Sequence, residues 1–342
     1  MALLSLVKRR LLDFLGCPGC RSALTLEGAR EHEGEIEEGT LACPQCRRQF
    51  PIIDAIPRFV EAQNYADSFG LQWNKYAQLQ LDSRNGTRFS RERFYSITEW
   101  PPESLRDALV LDAGCGAGRF AEIALEDGAE VVALDLSSAI DACRANLREH
   151  PSLHCVQGSL FELPFRDGAF DTVYSIGVIQ HTPDPRHAVE ALGKKVAPGG
   201  RIGLWIYERD WKSFVGTVGF KYAVRPLTTR WRTATLEKFI RNLEAACWPI
   251  VRWARPRGTL GKTIMRMLPL SCAHLQNIPL SEEDFREWIR LDTFDMLSPA
   301  YDSPQRYRVV KSWLESAGFR PDRRHPHGAI SITATRPETS QR

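Results

Sequence analysis

Five apolar stretches punctuate the middle of the chain: LVLDAG from residue 109, AEVVALDLS from 129, HCVQGSLFELPF from 154, FDTVYSIGVIQH from 170 and VAPGGRIGLWIY from 196. Between them lie turn-rich or helix-patterned segments such as SAIDACRANLREH (138–150). Strand alternating with helix predicts a parallel sheet whose ligands gather at the carboxyl edge of its strands. Near the end, YDSPQRYRVVKSWLESAGF (301–319) predicts a helix with Ser303 as its N-cap, Pro304 at the first helical position and Gly318 as its stop. GAISITATR (328–336) then predicts a closing strand. Ahead of the sheet, Phe69, Trp73 and Tyr76 recur at helical spacing, a stripe that suits both a packed core face and a lid over the sheet. The first sixty residues read differently, with ALTLEG (23–28) and EIEEGTLAC (35–43) alternating like short strands.

The first strand of the sheet runs into three glycines, Gly114, Gly116 and Gly118, the usual way for backbone N–H groups to come close to a ligand. A dinucleotide turn wants its third glycine one residue later, where Arg119 stands. Asp112, two residues before the first glycine, would repel a pyrophosphate and welcome an amine or sulfonium. Asp135 ends the next strand, placed to accept ribose hydroxyls. Asp112 points to a cationic ligand, while NAD would also use an acid at Asp135.

CPGC (17–20) and CPQC (43–46) form two CxxC pairs. Each aims two thiolates at one point, and together Cys17, Cys20, Cys43 and Cys46 complete the tetrahedral S4 shell that zinc accepts most readily. Metal binding would supply folding free energy to a segment too small to bury a core alone. Nine cysteines, four of them in these two pairs, suit a reducing cytoplasm. Lys8, Arg9 and Arg10 follow a short apolar stretch, the wrong order for a secretory signal, and no uncharged apolar run reaches the roughly 18 residues of a membrane span. A cytoplasmic location is the expectation.

Net charge is only +3, but residues 211–270 hold twelve Lys or Arg against two Asp or Glu, leaving the remainder net acidic. Trp211, Trp231, Trp248 and Trp253 lie among these basic residues. The expected domains are a zinc ribbon at 1–60, a helical lid or linker at 61–104, a cofactor-binding core at 105–208, a basic helical cap inserted at 209–301, and a C-terminal helix and strands at 302–342 that complete the core.

The glycine turn, the ribose acid, LPFRDGAFD (163–171) and VAPGG (196–200) together resemble the class I S-adenosylmethionine-dependent methyltransferases, over roughly 105–207 and 302–336. The segment LACPQCRRQFPIIDAIPRF (41–59) resembles the small zinc-binding domain fused to, or partnered with, various methyltransferases. The resemblance implies an α/β fold: a Rossmann-like class I methyltransferase sheet with an N-terminal zinc ribbon and a helical insertion. It implies S-adenosylmethionine as cofactor and a structural zinc ion. By that resemblance Asp112, Ala113, Gly114, Cys115, Gly116 and Gly118 cradle the methionine part, and Asp135 with Leu136 holds the ribose. Ser159 and Leu160 line the adenine, and Ile176 stands at the end of the fourth strand. Ser159 departs from the family, which usually has an Asp there.

Methyl transfer chiefly needs alignment of the nucleophile and exclusion of water, with a base only where the acceptor must lose a proton. His181, just past the fourth strand, is the candidate base, with loop capping before Pro183 as its alternative. Cys115 reads as a residue chosen for size and Asp171 as structural. In LDTFDMLSPAYDSP (291–304), Asp292, Asp295, Tyr301 and Asp302 are candidates for the acceptor side. The basic cap suits a small-molecule, glycan or lipid-linked acceptor, the last at a membrane surface contacted through 211–270. Two alternatives stand beside this: an RNA methyltransferase acting on a ribosomal or transfer RNA base, and a non-catalytic scaffold that keeps the fold and docks through its ribbon.

Overall fold

The computed structural model describes residues 4–32, 35–61, 64–209, 216–322, 324 and 329–338. Helix α1 (Leu4–Phe14) leads into a four-stranded antiparallel sheet in sequential order, β1 (Thr25–His32), β2 (Glu35–Ala42), β3 (Gln49–Ile53) and β4 (Ile56–Pro57). Three helices follow, α2 (Asp67–Lys75), α3 (Asp82–Asn85) and α4 (Phe89–Thr98).

The second sheet has seven strands. It takes in β5 (Leu109–Ala113), β6 (Glu130–Asp135), β7 (Leu153–Gln157), β8 (Phe170–Ile176), β9 (Val196–Ile206), β10 (Arg320–Pro321) and β11 (Ile330–Thr335). Their order is β10-β11-β9-β8-β5-β6-β7. The five strands from β9 to β7 are parallel, and β11 runs antiparallel to β9 with Ile332 opposite Leu204. The chain leaves β5 toward β7 on one side and returns to β8 on the other, so a crevice opens at the carboxyl ends of β5 and β8. Helices α5 (Arg119–Glu126), α6 (Ala139–Leu147) and α7 (Pro185–Lys195) make the crossovers. Asp184 caps α7 by accepting from the His187 N–H at 3.0 Å, with Pro185 at its first position.

Strand alternation divides the core. Leu109, Leu111 and Ala113 pack on one face of the sheet, while Val110 packs on the other with Val131, Ala133 and Tyr174. The first face is continuous with the N-terminal domain, whose Leu11, Leu15, Leu41, Phe50 and Phe59 share one cluster with Leu134, Val156 and Phe165. Backbone bonds fasten the joint: Gly16 N–H to the Pro164 carbonyl at 2.9 Å and Phe59 N–H to the Gln157 carbonyl at 2.9 Å. Arg58 clamps it, reaching Asp141 at 2.6 Å and Gln157 at 2.9 Å.

The insertion is helical: α8 (Thr217–Thr228), α9 (Thr233–Ala254), α10 (Gly258–Met267) and α11 (Glu282–Leu297), around its own core of Val251, Met265, Phe285 and Trp288. Ser281 caps α11 by accepting from the Asp284 N–H at 3.0 Å, and Glu282, Glu283 and Asp284 favour its positive end. Trp211 lies outside the described residues.

One boundary differs from expectation. The last helix, α12, spans Tyr307–Ser316 and does not start at Ser303 and Pro304. Those residues are extended because they are tied to the end of β9: Gln305 N–H donates to the Tyr207 carbonyl at 2.9 Å and Arg209 N–H to the Gln305 carbonyl at 2.7 Å. Gly318 does end the helix, at φ +85°.

Candidate active site

The crevice at the carboxyl edge deepens into a cavity of about 680 Å³, lined by the turn after β5, the ends of β6, β8 and β9, and parts of α2, α4, α8 and α11. Gly114, Gly116 and Gly118 all take left-handed φ. At Gly114 a side chain would also strike its neighbour, since an added Cβ would lie 2.4 Å from the Val178 side chain. Gly114 N–H and Cys115 N–H both donate to the Leu134 carbonyl, at 2.7 and 3.0 Å, and this fixes the turn against β6.

Asp135 lines the cavity at the end of β6. Its Oδ1 accepts from the Ser137 N–H (2.8 Å) and hydroxyl (2.7 Å), and its Oδ2 from the Gly116 N–H (3.0 Å). A carboxylate offers about four acceptor positions, so one remains for a ligand hydroxyl. Burial raises its pKa while those donors hold it down.

Of the residues expected to touch the cofactor, Gly114, Cys115, Gly116, Asp135, Leu136, Leu160 and Ile176 line the cavity. Asp112, Ala113, Gly118 and Ser159 do not. Asp112 was expected to face a cation, but it is the fourth residue of a five-residue strand, and alternation turns it into the helical layer with Val110. There it is 2% exposed, and burial, partly offset by the Tyr174 phenol, pushes its carboxyl up to about 8. Ala113 gives its carbonyl to the Ser175 hydroxyl at 2.8 Å, Gly118 packs toward Leu147 and Cys143, and the Ser159 hydroxyl accepts from the Phe161 N–H at 3.1 Å. The loop instead offers Gly158 and Leu160 to the cavity. Burial pushes the Cys115 thiol up to about 12, an inert spacer. Asp171 accepts from the Leu109 N–H at 2.9 Å, a structural tie.

His181 is 5% exposed and lines the cavity between the rings of Phe69 and Tyr207, at 5.5 and 5.4 Å. Its Nδ1 lies 3.0 Å from the Tyr301 carbonyl oxygen, and its Nε2 has no partner. A carbonyl can only accept, so Nδ1 carries the proton and Nε2 presents a lone pair. Burial pulls the pKa down to about 4 and keeps the ring neutral.

Three cavity residues, Arg119, Arg93 and Lys221, carry no site signal in the sequence. Arg119, which opens α5, lies under the rings of Phe89, Phe120 and Trp288. It donates to Ser90 at 2.9 Å and Gln80 at 3.1 Å, and its buried Nη2 has no partner. Arg93 of α4 stands 4.7 Å from the Trp205 ring centre. Lys221 of α8, 6% exposed, is held by Asp302 at 2.8 Å over the Tyr207 ring. Of the residues expected on the acceptor side, Asp295 lines the cavity beside the Tyr207 hydroxyl (3.3 Å), and burial pushes its pKa up to about 7, whereas Asp302 does not line it and pairs with Lys221. Asp292 lines it too and accepts from His274 at 2.7 Å. Tyr301 contributes its carbonyl rather than its ring, which packs edge-on against Tyr65. From the lid stripe, Phe69 and Trp73 face the cavity, whereas Tyr76 points toward α9 and α11.

In the N-terminal domain the four cysteine sulfurs lie within 4.8 Å of one another. Cys17 approaches Cys46 and Cys20 approaches Cys43, each at 3.4 Å, so each CxxC turn faces the other. A tetrahedral zinc shell with Zn–S near 2.3 Å sets its sulfurs roughly 3.8 Å apart, and this set fits it. The Cys46 N–H donates to Cys43 Sγ at 3.4 Å, which favours the thiolate, and the Cys43 pKa is pulled down to about 6.

A parallel sheet with one reversed strand, a glycine turn and a ribose-ready acid at its switch point define a Rossmann-like sheet of the class I methyltransferase type. Comparison with known proteins agrees: residues 111–204 match the methyltransferase domain family, and residues 8–54 match the family described as Trm112p-like protein. The chain carries a methyltransferase domain joined to a Trm112-like zinc ribbon. Among curated relatives, the ubiquinone biosynthesis O-methyltransferase of Cronobacter sakazakii is 34% identical over 144 residues, 41% of this chain and 58% of that protein. Its namesake from Leptothrix cholodnii is 28% identical over 196 residues, 54% and 73% of the two chains. This chain thus spans about 58% of the length of the Cronobacter relative. Among solved structures, a complex containing the Haloferax volcanii Trm112 methyltransferase activator matches with a TM-score of 0.44 and 14% identity, covering 81% of this chain and 100% of that one. The YcgJ protein of Bacillus matches with a TM-score of 0.41 and 12% identity, covering 72% and 100%. Among the described residues no helix is long and apolar enough to cross a membrane.

Proposed function

We propose that this chain is an S-adenosylmethionine-dependent methyltransferase that transfers to a hydroxyl of a small-molecule acceptor. The observation that carries the reading is His181, a neutral buried imidazole whose Nδ1 is spent on the Tyr301 carbonyl, whose Nε2 has no partner, and whose ring lines the same cavity as the glycine turn and Asp135. The cofactor, when bound, supplies a methyl group made electrophilic by its sulfonium. The chain's own residues supply the rest.

Three features fit that cofactor. Asp135 keeps an acceptor position for a ribose hydroxyl, Gly158 and Leu160 offer backbone and an apolar wall to the adenine, and Gly114 and Gly116 bring bare backbone to the cavity wall for the methionine chain. Arg119, with its partnerless buried Nη2, and Arg93 are the donors for the methionine carboxylate. Burial lowers the pKa of both guanidinium groups, which stay charged at neutral pH.

On the acceptor side, His181 Nε2 takes the hydroxyl proton as the oxygen attacks. Lys221, held by Asp302, places a positive charge in the same cavity and favours the developing oxyanion. Phe69, Trp73, Trp205 and Tyr207 keep water out and offer flat apolar walls. A cavity of about 680 Å³ walled by these aromatic side chains suits a small-molecule acceptor. The relatives' name, an O-methyltransferase of ubiquinone biosynthesis, supports an oxygen acceptor.

The test is transfer of labelled methyl groups from the cofactor to cell extract separated into small-molecule, lipid and RNA fractions. Label in an organic-extractable hydroxyl compound, lost with His181→Gln, is the expected result. Label confined to RNA, or none in any fraction, contradicts the reading.

A further inference from the structure

We propose that the outward face of the cap helices α8, α9 and α10 is a docking surface for an anionic lipid bilayer. Among the described residues, most of the exposed large apolar side chains gather in this one insertion: Leu227, Trp231, Ile250, Trp253, Leu260 and Met267. Three of them, Leu227, Leu260 and Met267, are 63%, 61% and 62% exposed. A soluble surface scatters such side chains singly, and a concentration of them marks a contact site.

Their spacing gives each helix an outward side. Ile250 and Trp253 stand three apart on α9, turned from its buried Ile240, Glu244 and Val251. Leu260 and Met267 stand seven apart on α10, away from its buried Gly261 and Met265. Leu227 stands in the last turn of α8, and Trp231 lies three residues past its end. Helices α9 and α10 are locked together: a Cβ built at Gly261 would lie 1.9 Å from the Ala254 carbonyl oxygen. Helix α9 is 22 residues long but carries charges throughout, so it suits the plane of an interface and not a crossing.

Charge complementarity names the partner. Arg230, Arg232, Lys238, Arg252, Arg257 and Arg266 are exposed and form no ion pair among the described residues. The two acids of the stretch are engaged elsewhere, Glu237 by Lys75 at 2.9 Å and Glu244 by Arg286 and Arg290 at 2.8 and 2.7 Å. The face is therefore cationic with apolar side chains interleaved, the composition that holds a protein at an anionic headgroup layer.

A nucleic acid would need free aromatic faces for its bases. Here the Arg257 guanidinium covers the Trp253 ring at 4.0 Å, and Trp231 packs edge-on with Phe239. Leu227, Ile250, Leu260 and Met267 offer no stacking surface at all, but they suit the acyl boundary. Helix α8 joins this face to the cavity, since Thr217, Val218, Lys221 and Tyr222 of its first turns line it. Docking itself does not depend on methyl transfer. Delivery of a bilayer-borne acceptor to the cavity does rest on that reading.

The experiment is co-sedimentation of the full chain with vesicles of phosphatidylcholine alone or with about 30% phosphatidylglycerol. Expected are binding to the anionic vesicles only, loss of binding in high salt, and a fall in partitioning of at least about tenfold for Trp253→Glu with Leu260→Glu. Arg252→Gln with Arg257→Gln, which alters no apolar side chain, is expected to weaken binding in the same direction. Failure to sediment with anionic vesicles at low salt, or unchanged binding by both variants, overturns the proposal. So does tight binding of a single-stranded RNA oligonucleotide that these variants abolish while vesicles are ignored. Calorimetry with S-adenosylhomocysteine on the same samples tests the methyl-transfer reading alone, and the docking proposal stands or falls on the sedimentation.

Discussion

His181 and Tyr301 are joined by one hydrogen bond across 120 residues of sequence, the imidazole Nδ1 donating to the carbonyl at 3.0 Å. This bond ties the strand end that carries the imidazole to the segment leaving the insertion, and it settles which nitrogen carries the proton. His181→Gln is expected to slow methyl transfer by about 10² to 10⁴ while leaving S-adenosylhomocysteine binding nearly unchanged. Single-turnover kinetics beside calorimetry separate the two.

The same imidazole sets a pH dependence. With its pKa pulled down to about 4, it is neutral at pH 6–8, so this group leaves the rate flat there and lowers it as pH falls toward 4. Stability shifts the same way: the unfolded imidazole takes up a proton near pH 6.5 that the folded one refuses, so stability is lost as pH falls from about 6.5 to 4. Between pH 7 and 5 the loss from this group is about 2 kcal/mol. Denaturant melts of the wild type and His181→Gln at both pH values check it, the variant being expected to lose less.

Arg119→Met removes the partnerless buried guanidinium nitrogen from the cavity. Affinity for S-adenosylhomocysteine is expected to fall roughly tenfold or more, the scale of a charge-assisted hydrogen bond. Methylthioadenosine, which lacks the amino-acid end, is expected to bind both proteins alike. Equal losses for both ligands would show that Arg119 shapes the pocket without meeting the carboxylate.

Zinc removal is expected to reach the cofactor site. The ribbon and the sheet share one apolar cluster, and Phe59 and Arg58 of the ribbon hold Gln157, next to the Gly158 loop. Cys43→Ser or chelation is expected to lower the melting temperature by at least about 5 °C and to weaken S-adenosylhomocysteine binding. Metal analysis showing no zinc in the unmutated protein, or its loss without effect on melting, contradicts this.

Much of this architecture was legible because it rests on local signals. The glycine turn, Asp135 at a strand end and two CxxC pairs each declare themselves within a few residues, and the structure brings the cysteines together and sets Asp135 on the cavity. Asp112 shows where such reading fails: its position in the motif suggested a ligand-facing acid, but the two-residue period of β5 sends it into the core. Arg119, Arg93 and Lys221 were not legible, because an arginine-rich chain makes each one ordinary. Only tertiary packing under aromatic rings or beside Asp302 marks them. Ser303 and Pro304 carried a good helix-start signal, which the backbone pairing of Gln305 with Tyr207 and Arg209 overrode.

The central claim, that the cavity at the carboxyl edge of β5 receives S-adenosylmethionine, is tested most directly by titrating its product into the purified protein. S-adenosylhomocysteine is expected to bind one per chain with a Kd of about 1 to 100 μM. Asp135→Ala is expected to weaken it at least about tenfold. NADH is expected to give no heat. Binding of NADH or a nucleoside triphosphate with no response to S-adenosylhomocysteine, or an Asp135→Ala protein that binds it as well as the wild type, would contradict the account.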